Sequence, residues 1–163
     1  LPQLAKVLEK IQLQQNCAVL TLEDNQHAFL KGGSTISALI EISQKWFDET
    51  ENTAHGRKGI HAIFIDFSKA FDMVGHRILL SKLASMNLTK SIWLCIRDFL
   101  SMRSQQVKLL QMLSSSAPCP AGVPQSSVIS PMVFNVYIDD LEDDIPANLT
   151  VDTSKYADDC TLD

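Results

Sequence analysis

Apolar positions along the chain fall into helix-like and strand-like patterns that alternate. Leu4, Val7, Leu8 and Ile11 recur at helical spacing, with Lys6, Glu9 and Lys10 on the other face, and predict an amphipathic helix over residues 3–14. A loop from Asn25 leads through Gly32-Gly33 to a second helix, which Ser34 or Thr35 can cap. Its expected stripe is Ile36, Leu39, Ile40 and Phe47, with Ile42 and Trp46 alongside. Residues 49–59 are polar and read as an exposed loop. Ile63-Phe64-Ile65 is a short continuous apolar run, the pattern of a strand buried on both faces, and it ends on Asp66. A tight helical turn at 68–71 and helices over 76–83 and 91–100 follow. Residues 105–113 are strand-like with mixed periodicity, and 114–120 form a turn-rich loop. After a Gly- and Pro-punctuated loop at 121–127, a long helix is expected over 127–144. It is apolar on much of its circumference and therefore largely buried, with Pro131 near its first turn. The chain closes on an extended stretch containing Tyr156-Ala157-Asp158-Asp159.

At 163 residues this is one domain or part of one. Its apolar runs fall well short of the roughly 18 residues of a membrane span, and its first residues lack a signal-peptide pattern. Cys17, Cys95, Cys119 and Cys160 are scattered, without a C-x-x-C pair, as expected of reduced thiols in an intracellular protein of the nucleus or cytoplasm. The formal charge of −5 is unevenly spread. From Leu109 onward Lys155 is the one cation against nine acids, a net −8. A solvated acidic face is the ordinary source of such a bias; a site for divalent cations is the sharper one.

Asp66 can cap the turn that follows it, or serve as a ligand. Asp158 and Asp159 lie in the second extended stretch. Three carboxylates at strand ends make a hard, oxygen-rich site suited to Mg²⁺, and two ions roughly 3.5–4 Å apart can promote phosphoryl transfer. A metal-dependent phosphohydrolase could use the same carboxylates, but leaves Gly122 to Gln125 and Phe71 without a role.

Four segments occur in order: Ile65-Asp66-Phe67-Ser68-Lys69-Ala70-Phe71-Asp72, Gly122-Val123-Pro124-Gln125, Phe134-Asn135-Val136-Tyr137-Ile138-Asp139-Asp140-Leu141 and Tyr156-Ala157-Asp158-Asp159. Together they resemble the reverse transcriptase of non-LTR retrotransposons, of the jockey-like kind and related long interspersed elements. The resemblance covers nearly the whole chain. It implies an α+β fold, the right-hand polymerase palm of antiparallel sheet backed by helices, with residues 1–58 mainly fingers and 59–163 mainly palm. It implies Asp66, Asp158 and Asp159 as catalytic and metal-binding residues, with the backbone carbonyl of Phe67 as a further oxygen. Phe71 is implied as the aromatic that excludes a ribose 2′-hydroxyl, Gln125 as a neighbour of the incoming nucleotide, Lys31 as a triphosphate contact and Tyr156 as the residue at the primer end. The implied cofactor is a pair of Mg²⁺ ions, with Mn²⁺ as a substitute. The implied partners are an RNA template, a DNA primer and a deoxynucleoside triphosphate, with no membrane.

Several positions depart from the family pattern. Where the family reads Gly-Phe-Arg-Lys-Gly-Arg-Ser-Thr, this chain has Ala28-Phe29-Leu30-Lys31-Gly32-Gly33-Ser34-Thr35, so both arginines are absent. Neither Leu30 nor Gly33 replaces a guanidinium that pairs with phosphate, and an arginine at position 33 is expected to improve triphosphate affinity. Ser126 and Ser130 stand where glycine is usual, a cost at Ser126 if the backbone there takes positive φ. Gly75 stands where aspartate is common. The chain stops four residues past Asp159, which suggests a fragment without a thumb, its last hairpin lacking a return strand. A catalytically inactive nucleic-acid-binding remnant is the alternative function.

Overall fold

The structure, a computed structural model, describes residues 3–16, 24–51, 59–146, 148–149 and 151–163. In chain order the elements are α1 Gln3–Asn16, α2 Thr35–Glu51, β1 Ile63–Asp66, a 3₁₀ turn Ala70–Asp72, α3 His76–Ser85, α4 Lys90–Leu100, β2 Ser104–Gln105, β3 Lys108–Leu109, β4 Met112–Leu113, β5 Ala117–Pro118, α5 Ser130–Ile138, a 3₁₀ turn Leu141–Asp144, β6 Thr153–Tyr156 and β7 Asp159–Leu162. Among the described residues no helix is long and apolar enough to cross a membrane. Two units each draw on two separate stretches of chain: Leu1–Thr21 with Lys69–Tyr137, and Leu22–Ser68 with Ile138–Asp163.

In the first unit, α3 and α4 pack through Leu79, Leu83, Ile96 and Leu100, buried residues at i, i+4 spacing on each helix. The strand-like 105–113 segment is not one strand. It folds back at Leu110, whose φ is 55, so that β3 pairs with β4, while β2 pairs with β5 inside the expected loop. The expectation for α1 is reversed. Leu4 is 82% exposed and Val7, Leu8 and Ile11 are also exposed, whereas Glu9, read as a solvent-facing residue, is 6% exposed. The Glu9 carboxylate is held through one oxygen: Oε2 accepts from Ser127 Oγ at 2.7 Å, Val128 N at 2.7 Å and Ile129 N at 3.4 Å. A buried charge that collects hydrogen bonds in this way outweighs a periodic pattern in setting which face turns inward.

The expected helix over 127–144 is shorter at both ends. Ser127 Oγ accepts from Ile129 N at 3.1 Å and Ser130 N at 3.3 Å, so residues 127–129 form a capped approach. Pro131 is then the second residue of α5, where a missing N–H costs nothing. At the other end the carbonyls of Ile138 and Asp139 accept from Lys155 Nζ at 3.4 and 2.9 Å, and a separate 3₁₀ turn takes up Leu141–Asp144.

The second unit is built on an antiparallel sheet of order β1-β7-β6. β7 is the return strand that the sequence appeared to lack; it pairs on both sides. β1, expected to be buried on both faces, is an edge strand with Ile63 and Phe64 exposed. The Phe64 ring meets Trp46 of α2 edge-on, centroids 6.4 Å apart. α2 packs against β6 and turns Ala38, Ile42 and Trp46 inward, while the expected stripe of Ile36, Leu39, Ile40 and Phe47 is exposed. Trp46 Nε1 donates to Asp163 Oδ2 at 2.8 Å. Ser34 is the cap, its hydroxyl accepting from Ser37 N at 3.0 Å while Ser37 Oγ accepts from Ser34 N at 2.9 Å. The helix runs on to Glu51, into the segment expected to be loop, and residues 52–58 of that segment lie outside the described residues.

The other edge of the sheet carries a polar core. Lys155 is fully buried, and its Nζ donates to Glu142 Oε2 at 2.7 Å and Oε1 at 2.9 Å. Thr153 Oγ1 donates to the same carboxylate at 2.8 Å, and Asn25 Nδ2 donates to it as well. Burial pushes Glu142 up, but the hydrogen bonds from Lys155, Thr153 and Asn25 outweigh it and hold the group below its ordinary value. Burial likewise raises the neighbouring Cys160 thiol. Among the described residues Cys95, Cys119 and Cys160 are in no disulfide; Cys17 lies outside them.

Candidate functional site

The register of the sheet decides where the carboxylates go. Asp66, last residue of β1, is directly opposite Asp159, first residue of β7, and Asp159 is directly opposite Tyr156, last residue of β6. Directly opposed residues share a face. Asp66, Asp159 and Tyr156 therefore point to one side of one sheet end. Asp158 occupies the two-residue turn beside them, after Ala157 with φ 56. Like charges placed directly opposite on neighbouring strands repel and destabilise the pair. Among the described residues none of the three carboxylates is in an ion pair, and no three His, Cys, Asp or Glu side chains are grouped closely enough to hold a metal ion. The backbone thus gathers the three aspartates at one sheet end without closing their side chains into a ligand cluster.

That face opens on a cavity of about 460 Å³ beneath α2. Ile42, Trp46 and Phe64 give it apolar walls, and Asp66, Asp159 and Tyr156 line it too. Lys31 is exposed in the loop before α2. In this loop Gly33 is packed against backbone: a Cβ at position 33 would lie 2.0 Å from the carbonyl oxygen of His27. The arginine that the family carries there cannot be restored without moving the chain, which corrects the expected gain. Gly33→Arg should lower triphosphate affinity or leave it unchanged, as read by titration of a fluorescent deoxynucleotide.

Phe71 and Gln125 belong to the first unit. Phe71 is half-buried and stacks on the buried Phe134, centroids 4.3 Å apart and rings 15° from parallel. Its carbonyl accepts from Val123 N at 2.8 Å, and Gly122 N donates to Val74 O at 2.9 Å. Gly122 has φ 82, and a Cβ there would stand 2.7 Å from Asp72 O, so only glycine fits this closure. Gly122 O in turn accepts from His76 Nε2 at 2.7 Å and Arg103 Nη1 at 3.1 Å. Gln125 is exposed, its Nε2 3.5 Å from Asp72 Oδ1. Ser126 has φ 65, the left-handed conformation that makes serine costly. Ser126→Gly should stabilise the chain by about 0.5–1 kcal/mol, the left-handed penalty less the extra backbone entropy of glycine. A urea titration reads this directly.

Residues 1–162 match the family described as reverse transcriptase (RNA-dependent DNA polymerase). The chain belongs to the reverse transcriptase family. Among curated proteins it is 29% identical over 170 residues to the RNA-directed DNA polymerase from mobile element jockey of Drosophila melanogaster, covering 99% of this chain and 18% of that protein. It is 28% identical over 148 residues to a probable RNA-directed DNA polymerase from transposon BS of the same organism, covering 86% of this chain and 16% of that one. These relatives bear out its kinship with the reverse transcriptases of non-LTR retrotransposons, and the chain spans less than a fifth of their length. Among solved structures, a telomerase from Candida Tropicalis in complex with a fragment of telomeric RNA superposes with a TM-score of 0.60 at 12% identity, over 98% of this chain and 28% of that one. The fold is thus that of a partial polymerase palm, antiparallel sheet and helices together, as the motifs implied.

Three features of this reverse transcriptase chain escaped the sequence. Lys155 and Glu142 form a buried ion pair; the one signal was that Lys155 is the lone cation of an acidic third. Glu9 and Gln26 are buried, and neither has a pattern around it that sets it apart from a surface residue.

Proposed function

We propose that this chain is the carboxylate-bearing part of an RNA-directed DNA polymerase, joining a deoxynucleoside triphosphate to a primer 3′-hydroxyl on an RNA template. The observation that carries the proposal is the register that sets Asp66 opposite Asp159, with Asp158 on the adjoining turn. An all-oxygen set of like charges, with no cationic side chain paired to it among the described residues, suits Mg²⁺, with Mn²⁺ as a substitute. Asp66, the carbonyl of Phe67, Asp158 and Asp159 would hold two ions. When bound, such ions lower the barrier to deprotonating the 3′-hydroxyl and offset charge on the departing pyrophosphate. Tyr156, on the same face, supports the primer end. By the family resemblance Phe71, stacked on Phe134, would reject a 2′-hydroxyl by contact, and Gln125 would neighbour the incoming nucleotide. Lys31 offers a charge to the triphosphate. Residues 1–58 contribute mainly fingers and 59–163 mainly palm.

Primer extension on an RNA template with Mg²⁺ tests this reading. Deoxynucleotide incorporation that disappears in Asp158→Asn supports it. Salt-sensitive binding of primer–template without extension would favour the inactive remnant instead.

A further inference from the structure

The turn that carries Asp158 is held by a residue far away in sequence. Ala157 has φ 56, a conformation that a residue with a Cβ adopts only when its surroundings impose it. The Ala157 N–H donates to Gln26 Oε1 at 3.2 Å, and the same oxygen accepts from Ala28 N at 2.9 Å. Gln26 is 3% exposed, and its backbone neighbours are fixed to the hairpin as well. His27 N donates to Lys155 O at 2.9 Å and Lys155 N to Asn25 O at 2.7 Å, so Asn25–His27 runs parallel to the outer edge of β6. The amide Nε2 of Gln26 has no hydrogen-bond partner among the described residues, so the side chain serves the structure through its oxygen.

We propose that Gln26 is a positioning residue of the carboxylate site: its Oε1 fixes the strained Ala157 turn and thereby the placement of Asp158 and Asp159. The inference rests on the reading of those aspartates as cation ligands. Residues that orient ligands from behind typically change metal affinity by about 10–100-fold when removed. In this role Gln26 acts on the site through one backbone N–H, that of Ala157.

The test uses the whole 163-residue chain with two readouts, amide exchange at Ala157 without metal and Mn²⁺ affinity by water proton relaxation. Gln26→Met keeps the length and removes the acceptor; Gln26→Glu keeps an acceptor oxygen; Gln26→Asn stays polar but is too short to reach. Ile96→Val in α4 is a control for general loss of stability, and Asp158→Asn for the cation site itself. Gln26→Met and Gln26→Asn should speed Ala157 exchange about tenfold or more and weaken Mn²⁺ about tenfold, with Gln26→Glu restoring both and Ile96→Val changing neither. If Gln26→Met does not fold, Gln26→Asn carries the comparison. Should Asp158→Asn weaken Mn²⁺ while the Gln26 variants bind it like the unaltered chain, the positioning role is overturned and the cation site stands. If Asp158→Asn has no effect on Mn²⁺, the cation reading itself fails. Equal losses in Ile96→Val and Gln26→Met would also overturn the proposal, as a merely structural effect.

Discussion

Asp66→Asn should make the chain more stable and less active at once. Its partner across the strands is Asp159, so the substitution removes one of two directly opposed negative charges from an exposed sheet edge. Relief of such a pair is worth about 0.2–1 kcal/mol, and an amide can also donate a hydrogen bond to the remaining carboxylate. The gain should shrink at high salt, because both groups are exposed and a Debye length of about 3 Å at 1 M screens them. Incorporation should fall by more than about 100-fold, since a proposed ligand is lost outright rather than merely misoriented. Urea midpoints at low and high salt, paired with primer extension, read both effects. Mg²⁺ should raise the midpoint of the unaltered chain and leave that of the variant in place. A destabilised variant at low salt would show that the opposed carboxylates do not repel.

The largest effect on stability is expected at the buried ion pair. Glu142→Leu leaves the Lys155 ammonium fully buried with only the Ile138 and Asp139 carbonyls as acceptors. Stranding a buried charge costs about 3–5 kcal/mol, and the lower end applies because a quarter of the Glu142 side chain is exposed. The double variant Lys155→Met with Glu142→Leu should recover most of the loss, because two apolar side chains leave no charge to solvate. The pair also sets an acid limit. Glu142 titrates lower in the folded chain than its ordinary value of 4.5. Its stabilisation is therefore complete above that value and disappears as pH falls through the lower folded one. Urea midpoints should drop below about pH 4.5, and Glu142→Gln should flatten that part of the profile.

Much of the site was legible because it is written locally. The apolar run that ends on Asp66 became a strand that ends on Asp66, and Tyr156 to Asp159 became a hairpin with its carboxylates at the tip. Ser126 has the positive φ under which serine in a glycine position was expected to be a cost. The faces of α1 and α2 were not legible. Periodicity shows that a helix has an apolar stripe, but whether that stripe turns inward depends on what packs against it. In α1 the three hydrogen bonds to Glu9 turn that residue inward, and in α2 the small Ala38 lies at the inward face. The end of α5 was hidden for a similar reason, since a lysine 17 residues beyond Ile138 takes its carbonyl. Gln26 and Gly33 matter through contacts to backbone atoms, which leave no mark on the pattern of side chains.

Burying Lys155 has an electrical consequence for the last third of the chain. The one cation of residues 109–163 is withdrawn from solvent, and the formal charge of the segment is −8 with Lys155 counted. A polyanion approaching it meets a net negative charge, so monovalent salt would screen the repulsion there, the reverse of ordinary counterion release. Divalent cations would act as bridges between two negative surfaces. On the function proposed above, magnesium would serve this segment in holding nucleic acid as well as in extending it.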